Sequence, residues 1–206
     1  MPDRGKAAIV LAAGMSRRMG RLKMLLPFGG KPMLARVLES LRASRHIFSI
    51  TVVTGHAEQE IRAAAGEYEG VGWTYNPDHA EGGMLSSIKT GMRALPDSCD
   101  AFFLALGDQP MVRPETLDAL GEAWNPETAQ IVLPAYGGKR GHPVLIARRF
   151  APEILALGEM ETLRTLMSRH AERIVEIAVP DPSTVQDVDT PEDYEAALRR
   201  WREREL

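Results

Sequence analysis

The sequence predicts a three-layer α/β fold: a mostly parallel sheet, one antiparallel strand pairing in its second half, and helices on both faces. Three observations point there. Short apolar runs of β-type composition alternate along the chain with segments of helical period. The first run, AAIVLAA (residues 7–13), lacks polar alternation and suits burial on both faces, as in a parallel sheet. Two later runs, AQIVLPA and HPVLIA, are joined by YGGKRG, a spacing short enough for an antiparallel pair.

The elements follow in order. PMLARVLESL places Met33, Leu34, Val37, Leu38 and Leu41 on one helical face, with Pro32 at the first helical position. Strand SITVVTG (49–55) comes next, then a helix from about Glu58 and strand VGWTYN (71–76). A helix after Gly83 buries Leu85, Ile88, Met92 and Leu95. Strand DAFFLALGD (100–108) precedes a helix opening at Pro114. Beyond the antiparallel pair lie a helical region through METLRTLMSRHA, strand RIVEIAV and a last helix from Pro191. The face of that helix is Tyr194, Ala197, Leu198 and Trp201, and Thr190 with Asp193 makes a capping box in which Asp replaces Glu. With no repeat, low-complexity tract or long linker, residues 1–206 are expected to form a single domain.

Composition narrows the function. The chain is 44% hydrophobic with a net charge of −3, so it has no broad basic face for nucleic acid, and any anion site must be local. Cys99 is the only cysteine, which excludes an internal disulfide framework and fits a reducing compartment. No apolar run approaches the ~18–20 residues that span a bilayer. The opening MPDRGKAAIVLAAG is unlike a signal peptide. A cytoplasmic protein with neither membrane nor nucleic-acid partners is expected.

Ligands of such sheets bind beyond the carboxyl ends of the strands. That rule selects the loops after Ala12 and at residues 54–56, 76–83 and 107–111. The first, LAAGMSRRMGRLK (11–23), sets two glycines, three arginines and a lysine in thirteen residues. Its glycine spacing fits neither a dinucleotide fingerprint nor a Walker A loop, because Arg21 and Leu22 follow Gly20. What remains is a glycine turn whose N–H groups can nest anionic oxygens, with Arg17, Arg18 and Lys23 beside it. A solvated loop with its cations in water is an equal alternative on composition alone.

Asp108 ends the strand in LALGDQP, where a carboxylate can hold Mg²⁺ or simply complete a turn. In QDVDTPEDY, Asp187 and Asp189 point the same way along an extended chain while Val188 faces the core. Asp189 could instead support the adjacent helix N-terminus by its charge. Ser86 and Ser87 occupy a first helical turn, where free N–H groups and hydroxyls can meet a ligand, although capping is common there. Met15, Met19, Met24 and Met84 are assigned to packing. Cys99 has no activating partner in the sequence, and His56 reads as surface.

The stretch LAAGMSRRMGRLK resembles the L-A-A-G-x-S-x-R-M-G-x-x-K signature of the molybdopterin nucleotidyltransferases, above all the molybdopterin cytidylyltransferase group. GDQP, RGHPV and DVDTPED match the same family in order, so the likeness spans residues 9–194. It implies a Rossmann-like nucleotidyltransferase whose first loop (Leu11, Ala12, Ala13, Gly14) wraps a nucleoside triphosphate. Arg18 and Lys23 then hold its phosphates, while Arg17 falls on a variable position. Asp108 becomes the Mg²⁺ ligand, joined by Asp189, with Asp187 as the other candidate. Thr54 and Gly55 border the base, and Gly82, Gly83 and Ser86 lie against the nucleotide. Arg140 and His142 sit on the acceptor side, although a histidine before proline can be purely structural; Lys31 and Lys139 are ambiguous.

The implied reaction moves CMP from CTP to the terminal phosphate of molybdopterin carrying molybdenum, releasing pyrophosphate, with Arg18, Lys23 and Asp108 as catalytic groups. A molybdoenzyme or its chaperone is the implied partner. Three other readings stay open: guanylyl transfer, another phosphorylated acceptor, and a non-catalytic nucleotide-binding cofactor chaperone. Relatives that use a sugar phosphate or isoprenoid precursor usually carry Pro before the Lys, where Leu22 stands here. A chaperone would not need metal carboxylates.

Overall fold

A computed structural model of the chain describes residues 5–204; the first four and last two residues of the expected domain lie outside the described residues. Strand β1 (Lys6–Leu11) is central. A two-residue ladder of β2 (Pro27–Phe28) and β3 (Lys31–Pro32) follows it, apart from the main sheet. β4 (Ile47–Thr54) and β6 (Ala101–Leu106) flank β1 in parallel, and β5 (Val71–Tyr75) lies beyond β4. On the other side are β7 (Ile131–Tyr136), the two-residue β8 (Lys139–Arg140), β9 (Val144–Ala147) and β10 (Ile174–Ala178). The spatial order is β10-β7-β9-β6-β1-β4-β5, with β8 on β7. The expected antiparallel pair is β7 with β9, in register Ile131 to Ile146. β9 also pairs antiparallel with β6, so it fills the space between two strands that run the same way.

Both faces of the sheet are covered, as the first apolar run requires. Ala7 to Val10 of β1 are at most 1% exposed. Ala8 and Val10 join one core with Leu34 and Leu38 of α1 (Met33–Ala43), Ile61 of α2 (Glu58–Ala65) and Leu117 of α4 (Pro114–Ala123). Ala7 and Ile9 join the opposite core with Ile88 and Met92 of α3 (Gly83–Arg93), Ile154 of α5 (Ala151–Ala156) and Leu166 of α6 (Leu163–Arg169). Phe102 and Phe103, neighbours on β6, enter opposite cores because successive strand residues alternate faces. Each is fully buried, and truncating either to Ala would cost about 3–5 kcal/mol. A third, smaller core packs Ala197, Tyr194, Leu198 and Trp201 of α7 (Pro191–Arg204) on Phe28, Met33, Met111 and Val188.

Two local expectations change. Pro32 is not the first helical residue but the residue before the helix, with an extended ψ of 144°. The β2–β3 ladder holds it extended, and Met33 begins the helix by donating its N–H to Leu26 O at 2.9 Å. Helix α5 was not foreseen: six residues give under two turns, too few for a 3.6-residue period to emerge.

Candidate active site

The carboxyl end of β1 runs into a loop braced on both neighbouring strands. Ala12 donates its N–H to Val53 O at 2.9 Å, and Gly107 donates to Leu11 O at 3.0 Å. A Cβ on Gly107 would lie 2.9 Å from Met24 Sδ and 3.0 Å from Leu11 O, so only glycine lets the β6 loop come this close. Ala12 and Ala13 are buried while Gly14 is exposed, which turns the loop outward. The loop then folds back: Ser16 takes φ 51°, and its Oγ accepts the Lys23 N–H at 3.1 Å.

That return places Lys23 at the centre of the site, only 8% exposed. Its Nζ bonds Asp108 Oδ2 and, at 2.9 Å, Asp189 Oδ1. Arg18 Nη2 reaches Asp189 Oδ2 at 2.8 Å from a largely exposed side chain, and such a pair contributes no more than about 1 kcal/mol. Burial pushes the Lys23 ammonium down, but the carboxylates of Asp108 and Asp189 more than offset this and hold it above its ordinary value. The Asp108 carboxyl is raised, first by burial; Lys23 opposes the rise, and Asp187 and Asp189 add to it. The cluster therefore holds more negative charge than its cations neutralise.

The acidic segment behaves as its alternation predicts. Val188 enters the third core and donates its N–H to Asp108 O at 3.2 Å, so the two acidic segments are tied together. The expected capping box forms at α7: Thr190 Oγ1 accepts the Asp193 N–H at 3.2 Å while Asp193 Oδ2 accepts the Thr190 N–H at 2.9 Å, so the box closes without the Asp189 side chain. Asp187 is held by Gln109 Nε2 at 2.8 Å.

The remaining predicted residues divide. Thr54 is fully buried, its hydroxyl bonded to Thr74 O at 3.2 Å, which leaves exposed His56 at the rim of that loop. Gly82 precedes α3, Gly83 begins it with φ +60°, and Ser86 Oγ bonds Gly83 O at 2.9 Å. The pair assigned to an acceptor separates. His142 donates its N–H to Thr184 O at 2.8 Å and lies near enough to Asp187 and Asp108 to feel both. Burial keeps its imidazole below the ordinary value against their pull. Arg140, two residues earlier on β8, instead bonds exposed Glu176 through Nε at 2.9 Å and Nη2 at 2.7 Å.

Two positioning residues were not singled out in the sequence. Gln109 is 4% exposed and clamps Asp187; its place directly after Asp108 was the available signal. Asn76 is fully buried, and its Nδ2 donates to Ser86 Oγ at 2.8 Å and Ser87 Oγ at 3.0 Å, fixing the start of α3. Asn-Pro at a strand end is a turn signal that could have found it.

The carboxylates fit a small hard cation. Asp108 and Asp189 each aim an oxygen at one point, where the Lys23 ammonium stands. Among the described residues no group of three or more His, Cys, Asp or Glu could hold a metal unaided. Two carboxylates completed by phosphate oxygens and water is the Mg²⁺ pattern.

A glycine loop, a buried lysine and paired carboxylates meet at the carboxyl edge of a mostly parallel sheet, the edge where such sheets bind their ligands. Residues 8–174 match the MobA-like NTP transferase domain, and the chain belongs to that family; it is a nucleotidyltransferase. It is 28% identical over 197 residues to molybdenum cofactor cytidylyltransferase of Escherichia coli K12, covering 95% of this chain and 96% of that protein. The crystal structure of Rv0371c from Mycobacterium tuberculosis H37Rv superposes with a TM-score of 0.82 at 29% identity, over 97% of this chain and all of that one. A structure of Rv0371c in complex with manganese gives 0.76 at 27% identity, over 95% and 98% of the two chains. No helix among the described residues is long and apolar enough to cross a membrane.

Proposed function

We propose that this nucleotidyltransferase moves CMP from CTP to the terminal phosphate of a molybdopterin-type acceptor and releases pyrophosphate. The observation that carries the reading is the Lys23 ammonium seated between Asp108 and Asp189 at the mouth of the glycine loop. It fits a site where a cation belongs between the carboxylates and a lysine belongs on phosphate. The likeness to the E. coli cytidylyltransferase over nearly its full length supports the base and the acceptor. The manganese complex of Rv0371c supports a divalent ion.

In this reading Lys23 leaves the carboxylates and, with Arg18 and the N–H groups of the Gly14 loop, holds the triphosphate. Asp108 and Asp189 hold Mg²⁺, which supplies charge neutralisation at the reacting phosphates. An acceptor phosphate oxygen attacks the α-phosphorus in line, the bond to the β-phosphate breaks, and pyrophosphate leaves with that electron pair. The nucleophile is already anionic, so positioning and charge stabilisation suffice without a covalent intermediate. His142, kept neutral beside Asp187, faces the acceptor side and can offer a hydrogen bond there. Incubation of the protein with pterin acceptor, Mg²⁺ and each ribonucleotide in turn is expected to yield the cytosine dinucleotide. A preference for GTP, or dinucleotide with none of the four, overturns the proposal.

A further inference from the structure

Behind the carboxylate cluster lies an open cleft of about 200 Å³, lined by Arg113, Arg200, Arg204 and Glu203 with Ser183 and Gln186. The arginines come from the residue before α4 and from the last turns of α7, far apart in sequence. None belongs to the glycine loop, to α3 or to the carboxylate set around Lys23.

The buried counter-charge here is already engaged. Asp181 is 1% exposed. Its Oδ2 accepts from the Arg113 N–H at 3.0 Å and Thr116 Oγ1 at 2.9 Å. Its Oδ1 accepts from the Ser183 N–H at 3.2 Å and from Ser183 Oγ, with Arg204 Nη2 at 3.4 Å. Both oxygens are thus saturated, mostly by neutral donors. Arg204 spends Nη1 on Met111 O at 2.9 Å. The Nε of Arg200 is buried with no hydrogen-bond partner among the described residues. A buried charged N–H without an acceptor is costly, because its desolvation goes uncompensated. The Arg204 guanidinium is held below its ordinary value, first by burial and then by Arg113, with Asp181 opposing and Arg200 adding to the repulsion. Like charges thus gather around a cleft, and one of them has an unmet donor.

We propose that Arg113, Arg200 and Arg204 form a second anion site, separate from the nucleotide loop, that takes a small phosphate-type oxyanion such as phosphate, pyrophosphate or a phosphate monoester. The cleft is smaller than the ~300–1,000 Å³ of pockets for drug-sized ligands. Planar guanidinium forks match tetrahedral oxyanions in pairs of N–H···O bonds. The site also touches the catalytic segments. Arg113 and Asp108 lie on one loop between β6 and α4, and Ser183 and Gln186 precede Asp187 and Asp189. Gln109, which clamps Asp187, lines a small void that shares Met111, Ser183, Gln186 and Arg200 with the cleft.

The test is direct binding by calorimetry and phosphorus NMR without metal, on the unsubstituted chain and on K23M, which weakens the first site. Wild type is expected to bind two pyrophosphates, and K23M to keep one. R200Q and R113Q in the K23M background should each weaken that remaining site about tenfold, and R200K should restore part of it. Phosphate, pyrophosphate and glycerol phosphate titrated separately distinguish a free oxyanion from a phosphate monoester. One equivalent in wild type, or a K23M site indifferent to both glutamine variants, overturns the proposal. So does cleft binding confined to a poly-glutamate peptide, which would indicate an acidic protein partner. Should R200Q or R113Q fail to fold, phosphorus NMR of folded K23M decides: a bound pyrophosphate signal upholds the site and its absence overturns it.

Discussion

Two charged clusters share the segment 181–189, and their balances are opposite. At the glycine loop, Lys23 and Arg18 meet Asp108, Asp187 and Asp189, so cations are in deficit. At the cleft beneath α7, among the described residues, Arg113, Arg200 and Arg204 meet Glu203 and an Asp181 whose oxygens are already engaged, so cations are in surplus. The whole chain carries −3, a sign the first cluster shares and the cleft reverses. The sign of a local imbalance, in surroundings of reduced dielectric, decides what a site admits.

The largest expected effect breaks the deficit side. Asp108→Ala removes a candidate metal carboxylate while Asp189 still pairs with Lys23, so the fold should hold while turnover falls about 10³-fold. Pyrophosphate release and thermal unfolding read the two; near-normal turnover at saturating Mg²⁺ removes Asp108 from the metal site. Lys23→Met sharpens the comparison, because its two readouts should move in opposite directions. Turnover drops about 10²-fold, whereas Mn²⁺ affinity without nucleotide rises, since no ammonium competes for Asp108 and Asp189. Electron paramagnetic resonance titration reads the affinity, and a fall in it contradicts the shared position.

A smaller effect concerns His142 beside the cluster. Its folded value lies below 6.5, so the unfolded chain binds more protons as acid is added. Its contribution to stability is present above pH 6.5 and is lost as pH falls from there through the folded value. Thermal midpoints of wild type against His142→Gln should converge as pH falls through that window; a gap that stays constant across it would show that burial does not shift His142. The smallest effect is Thr190→Ala, which breaks the box at α7 and should cost about 1 kcal/mol in urea unfolding. It should also loosen Asp189, raising the metal concentration needed for half-maximal rate more than it lowers kcat.

The two clusters were unequally legible. The first is written into contiguous strings: Arg18 and Lys23 in one loop, Asp108 at a strand end, Asp187 and Asp189 flanking an apolar residue. Each string carries a local signal, and the β-α alternation told which strand ends would converge. The second is assembled from positions 113, 200 and 204, and read along the chain its arginines look like a solvated helix face. Only the packing of α7 brings them to Arg113. The same limit explains Arg140: residues 140 and 142 are neighbours in sequence, but the β7–β8 ladder turns Arg140 to Glu176 while Gly141 passes against Thr184. The centre of the sheet was readable because β1 and β6 bury both faces. The insertion of β9 beside β6 was not, since pairing partners depend on tertiary arrangement.

That insertion governs how the molecule can be made. A chain emerging from the ribosome can complete β1, β4, β5 and β6 with their helices once α4 is free. The outer edge of β6 must then wait for residues 144–147, which arrive after β7. During that interval an apolar strand offers bare amides and carbonyls to any extended segment nearby. Assembly of the second half is thus a capping event, and damage to β9 would be felt as aggregation during synthesis before it was felt as lost catalysis.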